Sequence, residues 1–575
     1  MHFLLKVILF RCALFVLGNL AHQYVGDYDT SSTVVYPPIT SPWYTKYFAP
    51  FANWDAVYFL RIAEASYEHE QYHAFFPFLP LCIRGVQHII RLVVPDNRTS
   101  FLLAGLLICN GAHLVGTYLI FRLTRVLFAS SPLLRSNPRA LHRFSSLVAT
   151  LYGVMPASIF SMAVYTEPLF GALSLAGFLL LAQSGSPLTS RGQALRLGSA
   201  ACLAAATGCR SNGIVSAGFL LHDTFAYVRL PAPFFSRLSR TLFLLVTMAF
   251  HTLVIAAPYV AFQVYGYQRY CTDPTLPVRP WCQARVPHLY PFVQDHYWNV
   301  GWFRYYTAKQ LPNFLLAAPV FALSVCALVG YLRANPRARL LALGFGHPQS
   351  QPEARRPAAG RSEGGRGLLV WATCDRAVVY ALHLLFLLVS VLPTLHIQVC
   401  LAVVCHIESV IWMHIQARTL NKSRSNKDQI TWLQGFVLNG VLTRFLAFSP
   451  PLYWCAASLV YRALESSPSP QPSPSHRRPP TTAITPTPPT TPTAGAAPST
   501  PPRPTNCRPG AESEPGSPFE GHTEGARAGT LAPRRPAPVV RPRACWRVPA
   551  CLVTGYFVGY AAVGTAMFCC FYPWT

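Results

Sequence analysis

Long apolar stretches separated by short polar loops run through most of this chain, a pattern that predicts membrane-spanning helices. One helix needs about 20 mostly apolar residues to cross a bilayer. The stretches that approach this length are residues 3–21, 101–121, 144–165, 168–184, 241–262, 313–332, 377–395, 445–462 and 548–570. The predicted fold class is therefore an all-α polytopic membrane protein.

Basic residues in the loops between these stretches predict how the chain is oriented. Loops 122–143 and 334–376 are rich in arginine, and cytosolic loops of membrane proteins carry an excess of Lys and Arg. Counting spans from these loops places loops 22–100 and 265–312 on the opposite, lumenal side. The first stretch, 3–21, is expected to remain as an anchor rather than a cleaved signal peptide, because no clear small-residue cleavage site follows it.

The same count leaves residues 197–222 with both ends on the cytosolic side. This segment is apolar, but Arg210-Ser-Asn-Gly213 interrupts its middle, so we predict a re-entrant pair of half-helices with a polar tip. Broken backbone at membrane depth is tolerated where it lines a cavity or is buried in protein. The alternative is one ordinary span whose arginine extends to the interface. Residues 78–95 fit an amphipathic segment on the lumenal surface.

Composition supports a membrane protein and argues against a nucleic-acid binder. Apolar residues make up 52% of the chain and charged residues only 12%, whereas a soluble domain carries about 25% charge. The net charge of +26 comes mostly from arginines in loops and in a tail, a distribution that the orientation rule explains. Residues 466–546, rich in Pro, Ser, Thr and Arg, are predicted to be a disordered cytosolic segment. They separate a multi-span catalytic domain, 1–465, from a last span within 547–575.

The first loop holds the candidate chemistry. Four carboxylates, Asp55, Glu64, Glu68 and Glu70, lie among aromatic residues in NWDAVYFLRIAEASYEHEQYHAFFP (53–77), although the whole chain has only 21 Asp and Glu. Carboxylates near lipid are costly and are usually kept for a function. The loop therefore predicts an active site at the membrane surface.

Further motifs follow in order along the chain. They are YTEPLF (165–170), GCRSNG (208–213), PWC (280–282), QDHYWNVGWFRYYTAKQLPNFLLAAPV (294–320), HIQV (396–399), LTRF (442–445) and a terminal PWT. With NWDAVYFLRIAE (53–64), they resemble the GPI mannosyltransferase II, or PIG-V, family. The resemblance implies a GT-C-type helical enzyme of the endoplasmic reticulum membrane. Such an enzyme takes mannose from dolichol phosphate mannose and adds it, in α-1,6 linkage, as the second mannose of the GPI anchor precursor on the lumenal face. No cofactor is implied, and the need for a small membrane subunit is left open.

Sugar transfer from a lipid phosphate needs a base for the attacking hydroxyl and positive charge for the leaving phosphate. The resemblance implies that a first-loop acid is the base of an inverting displacement, and we assign this role to Asp55. The alternative is that Asp55 caps a helix starting at Ala56. Glu70 is the second catalytic candidate, as base or sugar-hydroxyl acceptor, its alternative being a solvated charge. Trp54 is a candidate for stacking on a sugar, although interfacial aromatics are common without function.

Polar residues near other predicted lumenal span ends are candidates for substrate binding. They are Glu167, Arg210, Asn212, Trp298, Asn299, Arg304, His396, Gln398 and Arg444. Arg210 suits a donor or inositol phosphate, because guanidinium binds phosphate through paired hydrogen bonds, and Asn212 would add a hydrogen bond. Glu167 either faces the same side as Asp55 or caps a helix. Arg304 is a phosphate candidate or an interfacial cation, and His396 contacts substrate or is structural.

No DxD motif or closely spaced cysteine pair marks a metal site, and no metal is predicted, because arginine can neutralise the single phosphate of a lipid donor. Cys271 and Cys282 share one lumenal loop, where an oxidising compartment would allow them to form a disulfide. Asn97-Arg-Thr99 is a candidate glycosylation sequon on the same side.

Two departures from the family pattern, and two other functions, stay open at this point. Residues 400–441 separate HIQV from LTRF, which adjoin in the family, and we interpret this insert as a retained intron or gene-model error. Phe78 stands where the family pattern leads us to expect glycine, and a bulky side chain there could alter the turn. A lipid or solute transporter would show mid-span ionisable pairs and duplicated halves, and we find no internal repeat. The other alternative is a non-catalytic scaffold subunit of a GPI-assembly complex, which only an activity assay distinguishes from an enzyme.

Overall fold

The computed structural model describes most of the apolar part of the chain. The described residues are 2–28, 35, 43–230, 233–275, 277–301, 303, 304, 306, 308, 311–335, 370–394, 448–465 and 547–572. By its contacts the chain divides into one unit of residues 1–466 with 544–575 and a second of residues 467–543, and the second lies outside the described ranges. The predicted insert 400–441 and the predicted disorder of 466–546 also fall outside them.

Helices make up the described structure, and no β-strand occurs in these ranges. In chain order they are α1 (His2–Val25), α2 (Ala56–Ala65), α3 (Phe78–Ile90), α4 (Asn97–Phe128), α5 (Pro138–Gly153), α6 (Ser158–Met162), α7 (Glu167–Gln183), α8 (Ser190–Cys209), α9 (Ala217–Val228), α10 (Phe234–Cys271), α11 (Leu289–His296), α12 (Leu311–Ala334), α13 (Val378–Thr394), α14 (Pro450–Glu465) and α15 (Arg547–Cys569). Within the described ranges, α1, α4, α10, α12 and α15 are long and apolar enough to cross a membrane. The predicted all-α membrane protein is confirmed.

Two side chains, one at each end of the helical bundle, donate hydrogen bonds to the carbonyl oxygens of helix ends. We name the two ends of the bundle after them. At the Asn53 end, the Asn53 amide donates to the carbonyl oxygen of Cys569 at the close of α15. At the Arg376 end, the Arg376 guanidinium donates to the carbonyl oxygens of Val126 in α4 and Ala182 in α7, at 3.3 and 2.8 Å. Carbonyls in the last turn of a helix have no partner within the helix, so these donors complete three helix ends.

Helices α8 and α9 fold back on each other, as predicted for the re-entrant pair. The backbone becomes extended at Arg210 (φ −155°, ψ 138°), directly after α8. A short 3₁₀ turn, Ser211–Ser216, then leads into α9. Because Arg196 in α8 is ion-paired with Asp223 in α9, the second helix returns along the first. The pair therefore has both ends on one side, and the alternative of a single span is wrong.

The predicted span 144–165 is wrong as one helix. Helix α5 ends at Gly153, and the short α6 is the only helical segment between it and α7. Pro156 stands just after this end, where its ring and missing N–H oppose continuation of the helix. The interruption lets residues 163–166 run without helical structure to the Asn53 end. The apolar pattern predicted one span because the residues around the break at Gly153 are as apolar as those of a continuous helix.

The amphipathic segment after the first loop forms α3. Its buried residues Leu79, Ile83 and Gln87 lie on one side of the helix, and α3 packs against α4 and α2. Arg84 donates through Nε to the carbonyl oxygen of Ala63 at 2.8 Å and so completes the end of α2. Helix α3 thereby fixes the position of the first loop on the bundle.

Candidate active site

The Asn53 end is built on the tripeptide Asn53–Trp54–Asp55. The buried Asn53 amide donates to the carbonyl oxygens of the last two residues of α15, each at 3.3 Å. Trp54 has a φ of 60°, a left-handed conformation that non-glycine residues seldom adopt. Its ring lies 5.5 Å from that of Phe571. Strained residues persist where their surroundings hold them and cluster at functional sites.

Asp55 is half-buried and stands directly before α2. Its backbone N–H donates to the Tyr165 hydroxyl at 3.1 Å, while its side chain makes no capping hydrogen bond to the helix. The structure therefore does not support the capping alternative. Burial, followed by the charge of Asp55, raises the pKa of Tyr58 to about 12. Asp55 thus lies beside an aromatic side chain on the first turn of α2.

A buried ion pair follows Tyr165 in the chain. Arg210, after α8, places its Nη1 2.6 Å from Glu167 Oε1 at the start of α7 and 3.1 Å from Thr166 Oγ1. Their side chains are only 10% and 3% exposed, respectively. A buried charge without a partner is strongly destabilising, and each of these ions stabilises the other. The pair fixes the tip of the re-entrant helices beside the segment that positions Asp55.

A cavity of about 30 Å³ lies beside this ion pair. Asn212, His383 and Ser449 line it together with Glu167 and Arg210. Among the described residues, Asn212 Oδ1 and Ser449 Oγ are buried and have no hydrogen-bond partner. Buried polar atoms are nearly always paired in native proteins. The cavity beside the two atoms has room for one water or one hydroxyl group that would pair with them.

Comparison with known families decides what class of protein carries this site. The family profile described as "Mannosyltransferase (PIG-V)" matches residues 2–435. The chain belongs to this family. It is therefore a glycosyltransferase. Asp55, Glu167, Arg210 and Asn212 lie within the matched region, whereas Ser449 and α15 lie beyond it. The match ends inside the predicted insert 400–441 and before Arg444.

Named relatives agree with the PIG-V assignment. The mouse protein named GPI alpha-1,6-mannosyltransferase 2 is 32% identical over 379 residues, which are 60% of this chain and 69% of that protein. The human protein of the same name is 31% identical over 385 residues, with the same coverage. GPI mannosyltransferase 2 of Chaetomium globosum is 32% identical over 321 residues, 50% of this chain and 65% of that protein. The matches span about two thirds of each relative.

One solved structure is also similar. The oligosaccharyltransferase of Archaeoglobus fulgidus, in its apo form, is matched over 77% of this chain and 56% of that chain, at 11% identity. The TM-score of 0.29 is too low to argue for a shared arrangement of helices. The PIG-V assignment rests on sequence alone.

Glu70, the second predicted carboxylate of this PIG-V chain, has different surroundings. It is 5% exposed, and its Oε1 and Oε2 accept hydrogen bonds from Trp281 Nε1 and the Tyr297 hydroxyl, both at 2.8 Å. Arg279 Nε lies 3.9 Å from Oε1. Glu70 is therefore not a solvated charge: it joins the first loop to the loop after α10. Its predicted role as base or hydroxyl acceptor stays a prediction.

A disulfide closes the loop that Glu70 holds. Cys271, the last residue of α10, is bonded to Cys282, and their Cα atoms are 5.6 Å apart. These are the two cysteines that the sequence suggested could pair. Trp281, next to Cys282 in the chain, is the donor to Glu70. The disulfide and the carboxylate thus stabilise the same loop.

The predicted residues 298–304 of this family member divide into two environments. Trp298 packs its ring against Tyr58 and Phe75, with centroids 5.9 and 5.7 Å away, and its buried Nε1 has no acceptor among the described residues. Asn299, exposed and with a φ of 51°, follows it. Arg304 is ion-paired with Asp295. Only Trp298 is thus tied to the aromatic side chain beside Asp55, and the substrate roles of all three stay predictions.

The structure therefore gathers part of the predicted site. Glu167, Arg210 and Asn212 line one cavity. Asp55 is linked to them through Tyr165, which lies two residues before Glu167 in the chain. Three other predicted residues of the family pattern, His396, Gln398 and Arg444, lie outside the described residues.

Sequence reasoning missed three residues of this site. Tyr165 holds the backbone of Asp55, and its place in the YTEPLF motif was a signal that pointed to it. His383 lies within an apolar run and Ser449 beside the prolines that begin α14, so neither stands out. His383 reaches the cavity from α13, which contacts α9, and Ser449 from the position directly before α14.

Close packing explains the small residues of the GCRSNG motif. A Cβ on Gly213 would lie 2.6 Å from the backbone of Thr207, so no other residue fits without movement. A Cβ on Gly208 would lie 3.3 Å from the Cβ of Phe78. Phe78, the departure from the family pattern, begins α3 as a regular helix. The space beside Gly208 accommodates its bulk.

The predicted sequon is part of a packed helix start. Asn97 begins α4 and its Oδ1 accepts a hydrogen bond from Gln87 Nε2 at 3.0 Å, while Thr99 is buried. Glycosylation of Asn97 stays a prediction. No group of three or more His, Cys, Asp or Glu side chains suited to a metal occurs within the described ranges, and metal independence likewise stays a prediction.

Proposed function

We propose that this chain transfers the second mannose, in α-1,6 linkage, from dolichol phosphate mannose to the GPI anchor precursor at the lumenal face of the endoplasmic reticulum. Membership of the PIG-V family and the names of the mouse and human relatives support this proposal. The observation that carries it is the position of Asp55. The family motif holds this acid by its backbone, in a strained turn and without capping duty.

The reaction is a displacement at C1 of the donor mannose. The 6-hydroxyl oxygen of the acceptor mannose forms a bond to C1, and the bond from C1 to the phosphate oxygen breaks. Asp55 accepts the hydroxyl proton as general base, an effect worth about 10²- to 10⁴-fold in rate. Dolichol phosphate leaves with the bonding electron pair. Displacement from the opposite face converts a β-linked donor into an α-linked product.

The cavity beside Glu167 and Arg210, of about 30 Å³, has room for one water or one hydroxyl group, and we assign it to a single hydroxyl at the edge of the substrate. The ion pair carries no net charge, and the unpaired Asn212 Oδ1 and Ser449 Oγ suit hydroxyl groups as partners. The predicted phosphate contact of Arg210 stays a prediction, because Glu167 and Thr166 already accept from its Nη1. Trp298 Nε1 offers a further donor beside the aromatic residues that follow Asp55.

The two alternatives have less support. Family membership does not favour a lipid or solute transporter. A scaffold subunit needs no acid in a strained turn, whereas a transferase needs a base. The need for a small membrane subunit is decided by assaying the purified chain alone against the same chain in microsomes.

The test uses microsomes from cells that lack the second GPI mannose transfer. The chain is expressed as given, as Asp55→Ala, and as Asp273→Asn, a matched control on an exposed acid that bonds only locally to Thr275. Radiolabelled dolichol phosphate mannose is added, and conversion of the one-mannose precursor to two mannoses is followed. We expect conversion with the chain as given and with the control, and its loss with Asp55→Ala. No conversion by any well-expressed form, including one with 400–441 deleted, would sink the proposal.

The lumenal position of the site is tested separately. A single cysteine placed at the exposed Asp273 and another at the exposed Arg191, in a background without other exposed cysteines, are labelled with a membrane-impermeant maleimide in sealed microsomes. We expect only the second to be labelled before the membrane is opened. The reverse pattern would place the site on the cytosolic face.

A further inference from the structure

A second site lies at the opposite end of the bundle. A cleft of about 780 Å³ opens between the starts of α1 and α5 and the end of α14. Five basic side chains line it: His2, Lys6, Arg139, His142 and Arg143. No acidic side chain lines the cleft in the described part of the chain. The proposed transferase reaction makes no use of this cleft.

The basic side chains of the cleft have no counterion within the part of the chain that the structure describes. Within the described residues, none of the five forms an ion pair, and neither α1 nor α5 has an acid in its first turn. All five are exposed, so water screens part of the repulsion between the charges that converge on the cleft. An anion in the cleft would relieve this repulsion.

The rest of the lining is apolar. Phe3 and Leu147 form part of the wall, and Leu464, which is 65% exposed, lies at its edge together with Tyr461. A free phosphate or a nucleic acid would have no use for these side chains. An amphiphile with an anionic headgroup and an acyl chain matches both parts of the lining.

The cleft also lies at the membrane surface where such lipids are found. Helix α1 starts at the cleft and ends near Asn53, because His22 contacts the carbonyl of Cys569. Its 24 residues span about 36 Å at 1.5 Å per residue, roughly the thickness of a bilayer. The Arg-rich loops mark the cleft end as cytosolic, and the cytosolic leaflet carries the anionic phospholipids.

We propose that this cleft binds an anionic phospholipid from the cytosolic leaflet. The headgroup phosphate lies between Lys6, Arg139 and Arg143, and an acyl chain lies along Phe3 and Leu147. The bound lipid would hold α1, α5 and α14 together at the end of the bundle that is remote from the Asn53 site.

The test compares two variants with equal loss of charge. In the first, Arg139→Gln and Arg143→Gln remove two cations from the cleft. In the second, Arg191→Gln and Arg237→Gln remove two exposed cations at the starts of α8 and α10, outside the cleft. Each purified full-length protein is equilibrated in mixed micelles of equimolar phosphatidylcholine and phosphatidylserine. Native mass spectrometry then counts the lipids that are retained.

We expect the parent and the control to retain phosphatidylserine in preference to phosphatidylcholine. In the cleft variant, the ratio of retained phosphatidylserine to phosphatidylcholine should fall at least roughly tenfold. If the cleft variant fails to fold, Arg139→Lys with Arg143→Lys keeps the charge and should keep the preference. Equal retention by the cleft and control variants would overturn the proposal. So would an equal gain in thermal midpoint when inorganic phosphate replaces the lipid, since the site would then bind a free anion.

Discussion

Asp55 and Glu70 are two carboxylates of the same short loop, and the structure gives them opposite surroundings. Glu70 is buried and accepts two hydrogen bonds at 2.8 Å, from residues more than 200 positions away. Asp55 is half-buried, follows a strained Trp54, and is held through its backbone. Glu70 accepts hydrogen bonds from distant parts of the chain, whereas Asp55 makes no capping hydrogen bond to the helix that follows it.

The different surroundings of the two carboxylates predict different roles, a structural one for Glu70 and a catalytic one for Asp55. Both carboxylate oxygens of Glu70 already accept hydrogen bonds from the protein, from Trp281 and Tyr297. A general base must be able to reach the hydroxyl proton in a bound substrate. The geometry therefore favours Asp55 over Glu70 as the base, and substitutions at the two positions should have different kinds of effect.

The largest expected effect is on the activity of Asp55→Asn. This change removes the base and keeps the size of the side chain, so kcat should fall about 10²- to 10⁴-fold while the thermal midpoint in detergent stays near that of the parent. Mannose transfer and the thermal midpoint are measured on one preparation. A fall in the midpoint as large as that of Glu70→Gln would mean that the two carboxylates do not differ in the way proposed.

The ion pair beside Asp55 provides the next largest effect. Glu167→Gln removes the carboxylate that lies 2.6 Å from the buried Arg210 guanidinium, and breaking a buried pair in this way should destabilise the protein by about 3–5 kcal/mol. The double variant Glu167→Gln with Arg210→Met removes both charges and should recover much of that loss. Thermal midpoints of the two singles and the double form a double-mutant cycle. Additive losses would show that the pair is not coupled.

Glu70→Gln should act on stability first. The neutral amide replaces one accepting oxygen by a donor that faces Trp281 or Tyr297, and hydrogen bonds to a charged group contribute about 1.5–3 kcal/mol each. We expect a lower thermal midpoint and faster proteolysis of the loop after α10, with activity per folded molecule reduced less than tenfold. Asp273→Asn on the same loop is the control. An activity loss equal to that of Asp55→Asn, in protein that remains folded, would return Glu70 to the catalytic candidates.

The contrast also shows how far the sequence could lead. The apolar pattern located the helices, and the polar interruption at Arg210 predicted the re-entrant pair that α8 and α9 form. The first loop was predicted to hold the chemistry because its acids stand among aromatic residues, and that placement stays a prediction. These are local signals, and local signals are readable without the fold.

The sequence could not show which residues each charged side chain contacts in the folded protein. Glu70 meets Trp281 and Tyr297 only after α10 returns to the Asn53 end, and Arg210 meets Glu167 only because α7 and α8 lie side by side. Glu70 and Asp55 look alike in the sequence, so nothing local distinguished a structural carboxylate from a candidate base. The break of the span 144–165 was missed for a related reason, since Pro156 lies in a run whose apolarity favours one helix.

The smallest expected effect is that of a substitution at Trp298. Its ring packs against Tyr58, which follows Asp55 on the first turn of α2. Its buried Nε1 has no acceptor among the described residues, so Trp298→Phe removes a donor that the fold does not use and should leave the thermal midpoint nearly unchanged. If that donor binds substrate, KM for the one-mannose precursor should rise about fivefold, since one hydrogen bond contributes about 1 kcal/mol, while kcat is retained. Tyr58→Phe keeps the ring contact and serves as the control for packing. An unchanged KM would remove Trp298 from the substrate site and leave Asp55 as the part of this region that acts on the reaction.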